Sequence, residues 1–122
     1  MSHNTNQCRD ADTDVQKSVS ETAELFNLVG NARRIHALTG ICQRNGDVFT
    51  VGTMVDWVAE AECDAVDEEH RKSVYIALFQ CHLPRLAAAR VIYYDKDTAK
   101  VRPRPRFDDA MRVLDSVLPT DF

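Results

Sequence analysis

Between Arg90 and Arg106 the chain carries six bases, Arg90, Lys96, Lys100, Arg102, Arg104 and Arg106, against two acids, Asp95 and Asp97. Cations at this density need no cofactor to act: they displace the counterions of a polyphosphate, and an arginine can also enter a narrow groove of negative potential. Lys96, Lys100, Arg102 and Arg104 are the candidate phosphate contacts. Just upstream, Lys72, Ser73, Ile76 and Gln80 fall on one outward arc of a helix, with Glu69 at its entrance. Glutamine can pair with adenine, serine with a base or a phosphate, and isoleucine with a thymine methyl. Arg71 sits at the edge of the arc, where its stem covers apolar surface and its guanidinium reaches outward.

Other chemistry is harder to assemble. No glycine-rich phosphate loop, nucleophile elbow or H-x-x-x-H helix occurs, so an enzyme is not expected. His36, His70 and His82 with the cysteines invite a metal reading. Cys81 and His82, however, are neighbours that diverge by about 100° on a helix, and the spacing identifies no third ligand. No metal and no cofactor are expected. Cys8, Cys42, Cys63 and Cys81 lie far apart without a C-x-x-C, which predicts reduced, mostly buried thiols. His82 is expected to hydrogen-bond at a helix end.

The length of 122 residues suits one domain, and a hydrophobic content of 44% argues against disorder throughout. No apolar run approaches a membrane span and the first residues lack an apolar signal region, so a cytoplasmic protein without membrane contact is expected. The net charge of -4 conceals a reversal along the chain: Asp47 to Glu69 holds eight acids and no base. Phosphate contact needs a local positive field and not a basic protein. The acidic remainder, with eleven arginines to four lysines, also suits a high-salt cytoplasm.

The elements that would position these residues follow from caps, turns and periodicity. Residues 1–18 read as a disordered tail. A capping box at Ser18 to Glu21 opens a helix with Phe26, Leu28 and Val29 on its apolar side, ended by Gly30. Asn31 caps a second helix with Ile35, Leu38 and Cys42 at helical spacing. Its first turn holds Arg33 and Arg34, either solvated or paired with acids of the first helix. Asn45-Gly46 is a turn before a β-prone run, Val48 to Val51, expected beside a hairpin. Thr53 caps a helix with Met54, Val55, Val58 and Ala59 inward. The next helix, from about residue 70, buries Val74, Leu78 and Cys81 with Tyr75 and Phe79 beside them, and breaks at Pro84. Val91 to Tyr94 and Ala99 to Arg102 pair across a tip at Asp95 to Thr98 that puts Lys96 outermost. Pro103 and Pro105 forbid a central strand, leaving Arg102 to Arg106 as a rigid connector. Phe107, Ala110, Met111, Leu114, Val117 and Leu118 then form the stripe of a final helix, stopped by Pro119.

The phrase RKSVYIALFQCHLPRLAAARVIYYD resembles a winged-helix domain common in halophilic archaea, with a core close to R-x-x-V-Y-x-x-L-x-Q-x-H-L-P-x-L-x-x-x-x-V-x-x-Y-D. Arg71, Val74, Tyr75, Leu78, Gln80, His82, Leu83, Pro84, Leu86, Val91, Tyr94 and Asp95 carry the match. The Asn-x-Arg-Arg element within LFNLVGNARRIHAL is similar to one found in ArsR-like winged-helix regulators of archaea. The resemblance covers about residues 25–102. It implies that Arg33 or Arg34 touches a phosphate or a dimer partner. It also counts against a metal, since metal-sensing relatives carry a cysteine pair where this chain has only Cys81.

The expectation is thus an α+β, mainly α chain: a winged helix-turn-helix with a short three-stranded antiparallel sheet and an extra C-terminal amphipathic helix. Residues 19–106 would form the DNA-binding domain. Residues 107–122 would form a dimerisation helix through Phe107, Ala110, Met111, Leu114, Val117 and Leu118. The expected function is transcriptional regulation by a homodimer on double-stranded DNA. An interaction module that binds a protein through its acidic surface and terminal helix is the alternative, favoured by Ile76 and the acidic 47–69 segment.

Overall fold

The computed structural model describes residues 18–118, so the expected tail (apart from Ser18) and the stop at Pro119 lie outside the described residues. Helix α1 covers residues 18–29, followed by α2 (Ala32–Arg44), β1 (Phe49–Thr50) and α3 (Val51–Glu62). Helix α4 (Glu68–Ala77) runs without a break through a π-helical turn (Leu78–His82) into α5 (Leu83–Ala88). Strands β2 (Ile92–Asp95) and β3 (Lys100–Pro103) form a hairpin, and α6 (Arg106–Val117) ends the described chain. The fold is α+β and mainly α, with an antiparallel sheet ordered β1-β3-β2.

Local chemistry sets most boundaries. Asn31 caps α2 by accepting from the Arg34 N–H at 3.2 Å, and Asn45 closes it in the left-handed region, φ 51°. Thr50, and not Thr53, caps α3: its hydroxyl accepts from the Thr53 N–H. The apolar side of α3 is as expected, with Trp57 added to it. Trp57 fits because residue 40 is glycine. A Cβ there would lie 2.1 Å from the indole Nε1, and Phe49 meets the same indole edge-on with ring centroids 5.6 Å apart.

The tip of the hairpin lies one residue later than expected, which shifts every cross-strand partner by two and sets Tyr93 opposite Arg102 and Asp95 opposite Lys100. The tip is therefore residues 96–99, with Ala99 at φ 54°. Asp95 organises it, accepting from the N–H of Asp97 at 3.0 Å. Pro103 does end a central strand. β1 pairs only with Lys100 and Val101, so nothing on that side asks Pro103 for a hydrogen bond.

Three expectations about side-chain faces are corrected. Phe26 is 44% exposed and α1 buries Leu25, Leu28 and Val29. Cys42 and Cys81 are exposed and Cys63 is intermediate, so the thiols among the described residues are not mostly buried. Cys81 turned outward because the helix does not break at Pro84. Proline removes an N–H and crowds the carbonyl four residues back, and a π turn, which inserts one residue per turn, accommodates both. The Leu83 N–H reaches the Leu78 carbonyl, and the inserted residue advances the buried face from position 81 to His82. The Phe79 carbonyl, five residues before Pro84, has no N–H to receive from it. The Tyr94 hydroxyl donates to that oxygen instead, at 3.3 Å.

The stripe of α6 is the fourth correction. Phe107, Ala110 and Leu114 are buried in the chain's own core, Leu114 completely, and Met111 and Leu118 pack partly against it, which leaves Val117, 58% exposed, as the one fully exposed member of the expected dimerisation set. Arg106 fastens the helix start, donating to Glu24 at 2.7 Å and to the Ala89 carbonyl at 2.6 Å. Leu114→Asp should therefore unfold the chain instead of yielding a folded monomer. Leu114→Ala should cost about 2–5 kcal/mol. Denaturant titration followed by circular dichroism checks both, and a Leu114→Asp protein with an unchanged midpoint would contradict the burial.

Candidate functional site

The outward arc of α4 is exposed as expected at Lys72, Ser73, Ile76 and Gln80. Asp67 caps the helix by accepting from the His70 N–H at 2.7 Å, and Glu68 and Glu69 stand in its first turn, where the helix dipole favours acids. These two acids share a shallow groove with Arg71, Lys72 and Tyr75. Arg71 is turned to the neighbouring helix: its Nε donates to Asp56 at 2.8 Å across an exposed surface. The front half of α4 is thus acidic or internally compensated. Its rear half is neutral and apolar, with Ile76 at 43% and Tyr75 at 40% exposure.

That rear half is joined to the hairpin by aromatic rings. Tyr75 stacks on Phe79 with centroids 5.5 Å apart, and Phe79 meets Tyr94 of β2 edge-on at 6.0 Å. Burial, with Tyr75 adding to it, pushes the Tyr94 phenol up to about 12, so it keeps the proton it donates to Phe79. The ring column and this hydrogen bond fix the hairpin against the helix carrying Gln80.

On the hairpin, alternation buries Ile92 and Val101 and sends Tyr93, Asp95, Lys100 and Arg102 outward. Lys96 lies on the exposed tip. Lys100 faces Asp95, whose carboxyl is held below its ordinary pKa by the Thr98 side chain, then by the Asp97 N–H, with Lys100 a smaller influence. Arg104 is half-buried, its guanidinium carbon 4.4 Å above the Tyr93 ring centroid. The structure therefore brings Arg102 and Arg104 to the base of the hairpin and Lys96 and Lys100 to its tip. Arg71 stands apart in its pair with Asp56.

The sequence reading missed the buried polar centre behind this surface. Arg34 is only 5% exposed. It donates to the Leu28 and Asn27 carbonyls at the end of α1 and, at 3.1 Å, to Nδ1 of His82 in the π turn. An arginine has no acceptor, so His82 must present an unprotonated Nδ1 and carry its proton on Nε2. Arg33 is held by Glu62 of α3 through two hydrogen bonds, at 2.6 and 3.1 Å. His70 Nε2 lies 3.2 Å from the same carboxylate but off the hydrogen-bonding angle. Neither arginine is solvated or paired with an acid of α1, and neither is turned to an external phosphate. Their position at the start of α2 was the available signal: two cations where the dipole disfavours them must be held by something else.

Among the described residues no group of three or more histidine, cysteine or acidic side chains is placed to hold a metal ion, and no helix is long and apolar enough to cross a membrane. A family model described as Domain of unknown function (DUF7344) matches residues 26–102, which span α2, both helices flanking the π turn and the hairpin. No curated protein and no solved structure matches the chain.

Burial, then Arg34, and then Arg33 and Arg85 lower the His82 pKa, with Glu62 opposing. Unfolded, His82 regains an ordinary value near 6.5 and binds a proton more readily than when folded. Its contribution is therefore complete above about pH 6.5 and shrinks as pH falls below that value. His82→Asn, which retains an acceptor but cannot titrate, should flatten the loss of stability between about pH 6.5 and 5. Chemical denaturation at each pH measures it, and parallel stability curves for the two proteins would show that His82 is not responsible.

Proposed function

For this chain, which belongs to the DUF7344 family, we propose duplex-DNA binding by a winged-helix domain acting in transcriptional regulation. The order helix, strand, helix, helix, hairpin supports this reading, in which α3 and α4 would be the helix-turn-helix pair and β2–β3 the wing. The carrying observation is the aromatic column Tyr75–Phe79–Tyr94, which fixes the basic hairpin beside the exposed rear half of α4. In this reading Lys96, Lys100 and Arg102 contact phosphates, and Gln80, with Ile76 and Ser73, reads bases. Lys72 offsets Glu68 and Glu69 near the backbone. Arg71 would contribute only by leaving Asp56. One such face reads few base pairs, so binding by a homodimer to two half-sites belongs to the proposal. With most of its stripe packed on the chain's own core, α6 would offer a partner Val117 and the exposed edges of Met111 and Leu118.

A specific observation favours a second reading. Asp67, Glu68 and Glu69 precede exposed Tyr75 and Ile76 on one helix, a surface suited to a protein partner with basic and apolar side chains.

Fluorescence anisotropy with labelled duplex across a salt series separates the two. Affinity should fall steeply with salt, and Lys100→Ala combined with Arg102→Ala should reduce the log–log slope by about 2 if both neutralise phosphates. Gln80→Ala should lower the preference at one or two base pairs by roughly 1–3 kcal/mol in selection from a random pool, leaving non-specific binding intact. An unchanged slope removes the hairpin from the interface. Absence of binding at the lowest tolerated salt leaves the protein-interaction reading.

A further inference from the structure

The outer face of the hairpin holds an arrangement that the count of bases does not convey. Tyr93 is 54% exposed although it stands in the middle of a strand, and Arg102 is its direct partner across the ladder. The Arg104 guanidinium lies over the Tyr93 ring at 4.4 Å. The Arg104 N–H donates to the Val91 carbonyl at 3.0 Å, and Pro103 and Pro105 restrict the backbone on either side. Backbone and ring together thus hold this side chain in place.

A guanidinium carbon held over an aromatic face leaves N–H groups that can turn outward, and those form the fork that matches two phosphate oxygens. Stacking also spares much of the rotamer entropy that an exposed arginine loses when it binds. Arg104 shares a groove with Arg90, Arg106, Glu21, Glu24 and Asp109, with Glu24 engaged by Arg106. On the ladder side the neighbour is a second base, Arg102.

We propose that Arg102, Tyr93 and Arg104 form a phosphate clamp for the backbone of duplex DNA, with Tyr93 as the positioning residue for Arg104. The clamp rests on the DNA-binding reading and locates its main electrostatic contact at the base of the hairpin and not at the Lys96 tip. It also accounts for a large aromatic left exposed on a strand whose inward neighbours fill the core.

The test measures duplex affinity and salt slope for wild type, Tyr93→Leu, Tyr93→Phe, Arg104→Ala and the Tyr93→Leu/Arg104→Ala double variant, each checked for an unchanged thermal midpoint. Tyr93→Leu should weaken binding roughly three- to tenfold, and Tyr93→Phe should bind as wild type because the ring and not the hydroxyl supports the guanidinium. Arg104→Ala should weaken binding at least as much and lower the salt slope by about 1, and the double variant should lose no more than Arg104→Ala alone. Wild-type binding matched by Tyr93→Leu overturns the clamp and leaves DNA binding standing, as does additive loss in the double variant. A wild type that leaves duplex unbound at low salt overturns both together. Should Tyr93→Leu lower the midpoint, the comparison of Arg104→Ala with wild type decides: equal affinities overturn the clamp.

Discussion

The molecule is organised around one cation that solvent barely reaches. Burying an isolated charge is prohibitively unfavourable unless its donors are met, and Arg34 meets that condition with the Asn27 and Leu28 carbonyls and a histidine nitrogen. A helix end leaves its last acceptors unpaired, and Arg34 meets the Leu28 carbonyl there and shares the Asn27 carbonyl with the Gly30 N–H. A side chain from the start of α2 thus finishes α1, and by contacting His82 it also locks the π turn beneath both. Burial first, and then repulsion from Arg85, lower the Arg34 pKa, yet guanidinium remains charged at any pH the fold survives. His82 is the partner obliged to stay neutral.

The π turn makes that contact available. Without Pro84, an uninterrupted α-helix would direct position 81 at the core and carry His82 about 100° away from Arg34. The inserted residue turns His82 inward and Cys81 outward, and it leaves the Phe79 carbonyl to the Tyr94 hydroxyl. Proline, histidine and tyrosine, separated in sequence, therefore answer one problem of backbone hydrogen bonding. Through Tyr94 the same solution fixes the hairpin.

How much of this the sequence discloses depends on whether the cause is local. Caps and turns are local: Asn31, Asn45 and Asp67 act within a few residues, and the helices and hairpin they delimit are legible, with the hairpin tip one residue and the strand partners two residues from expectation. The face of Cys81 was not, because periodicity reasoning assumes a constant angular step and the π turn changes it. The fate of the α6 stripe was not legible either. A stripe records that Phe107, Ala110 and Leu114 need burial and says nothing of whose core supplies it. Arg33 and Arg34 were the hardest, since an arginine in a helix reads as surface until its partners, Glu62 and His82, are brought close from residues far along the chain. Tyr93 was passed over as one half of a β-prone pair, and only the ladder places Arg102 opposite it.

The charge reversal along the sequence becomes a gradient along one helix. The acids of α4 are confined to its N-terminal end, where the dipole stabilises them, while its other end meets the hairpin through aromatic rings. A polyanion would therefore be repelled from Glu68 and Glu69 and drawn toward Lys100 and Arg102, so its approach is set by the hairpin, with the helix following. Under the proposed DNA binding this would invert the usual division in which the N-terminal residues of a recognition helix enter the groove and the wing adds flanking contacts. On such a surface Gln80, at the rear of the helix and near the ring column, is better placed to reach a base than Ser73 or Lys72. In the proposed DNA-binding mode the acidic front would serve orientation, because a duplex rotated to lie along the whole helix would bring phosphates against like charge.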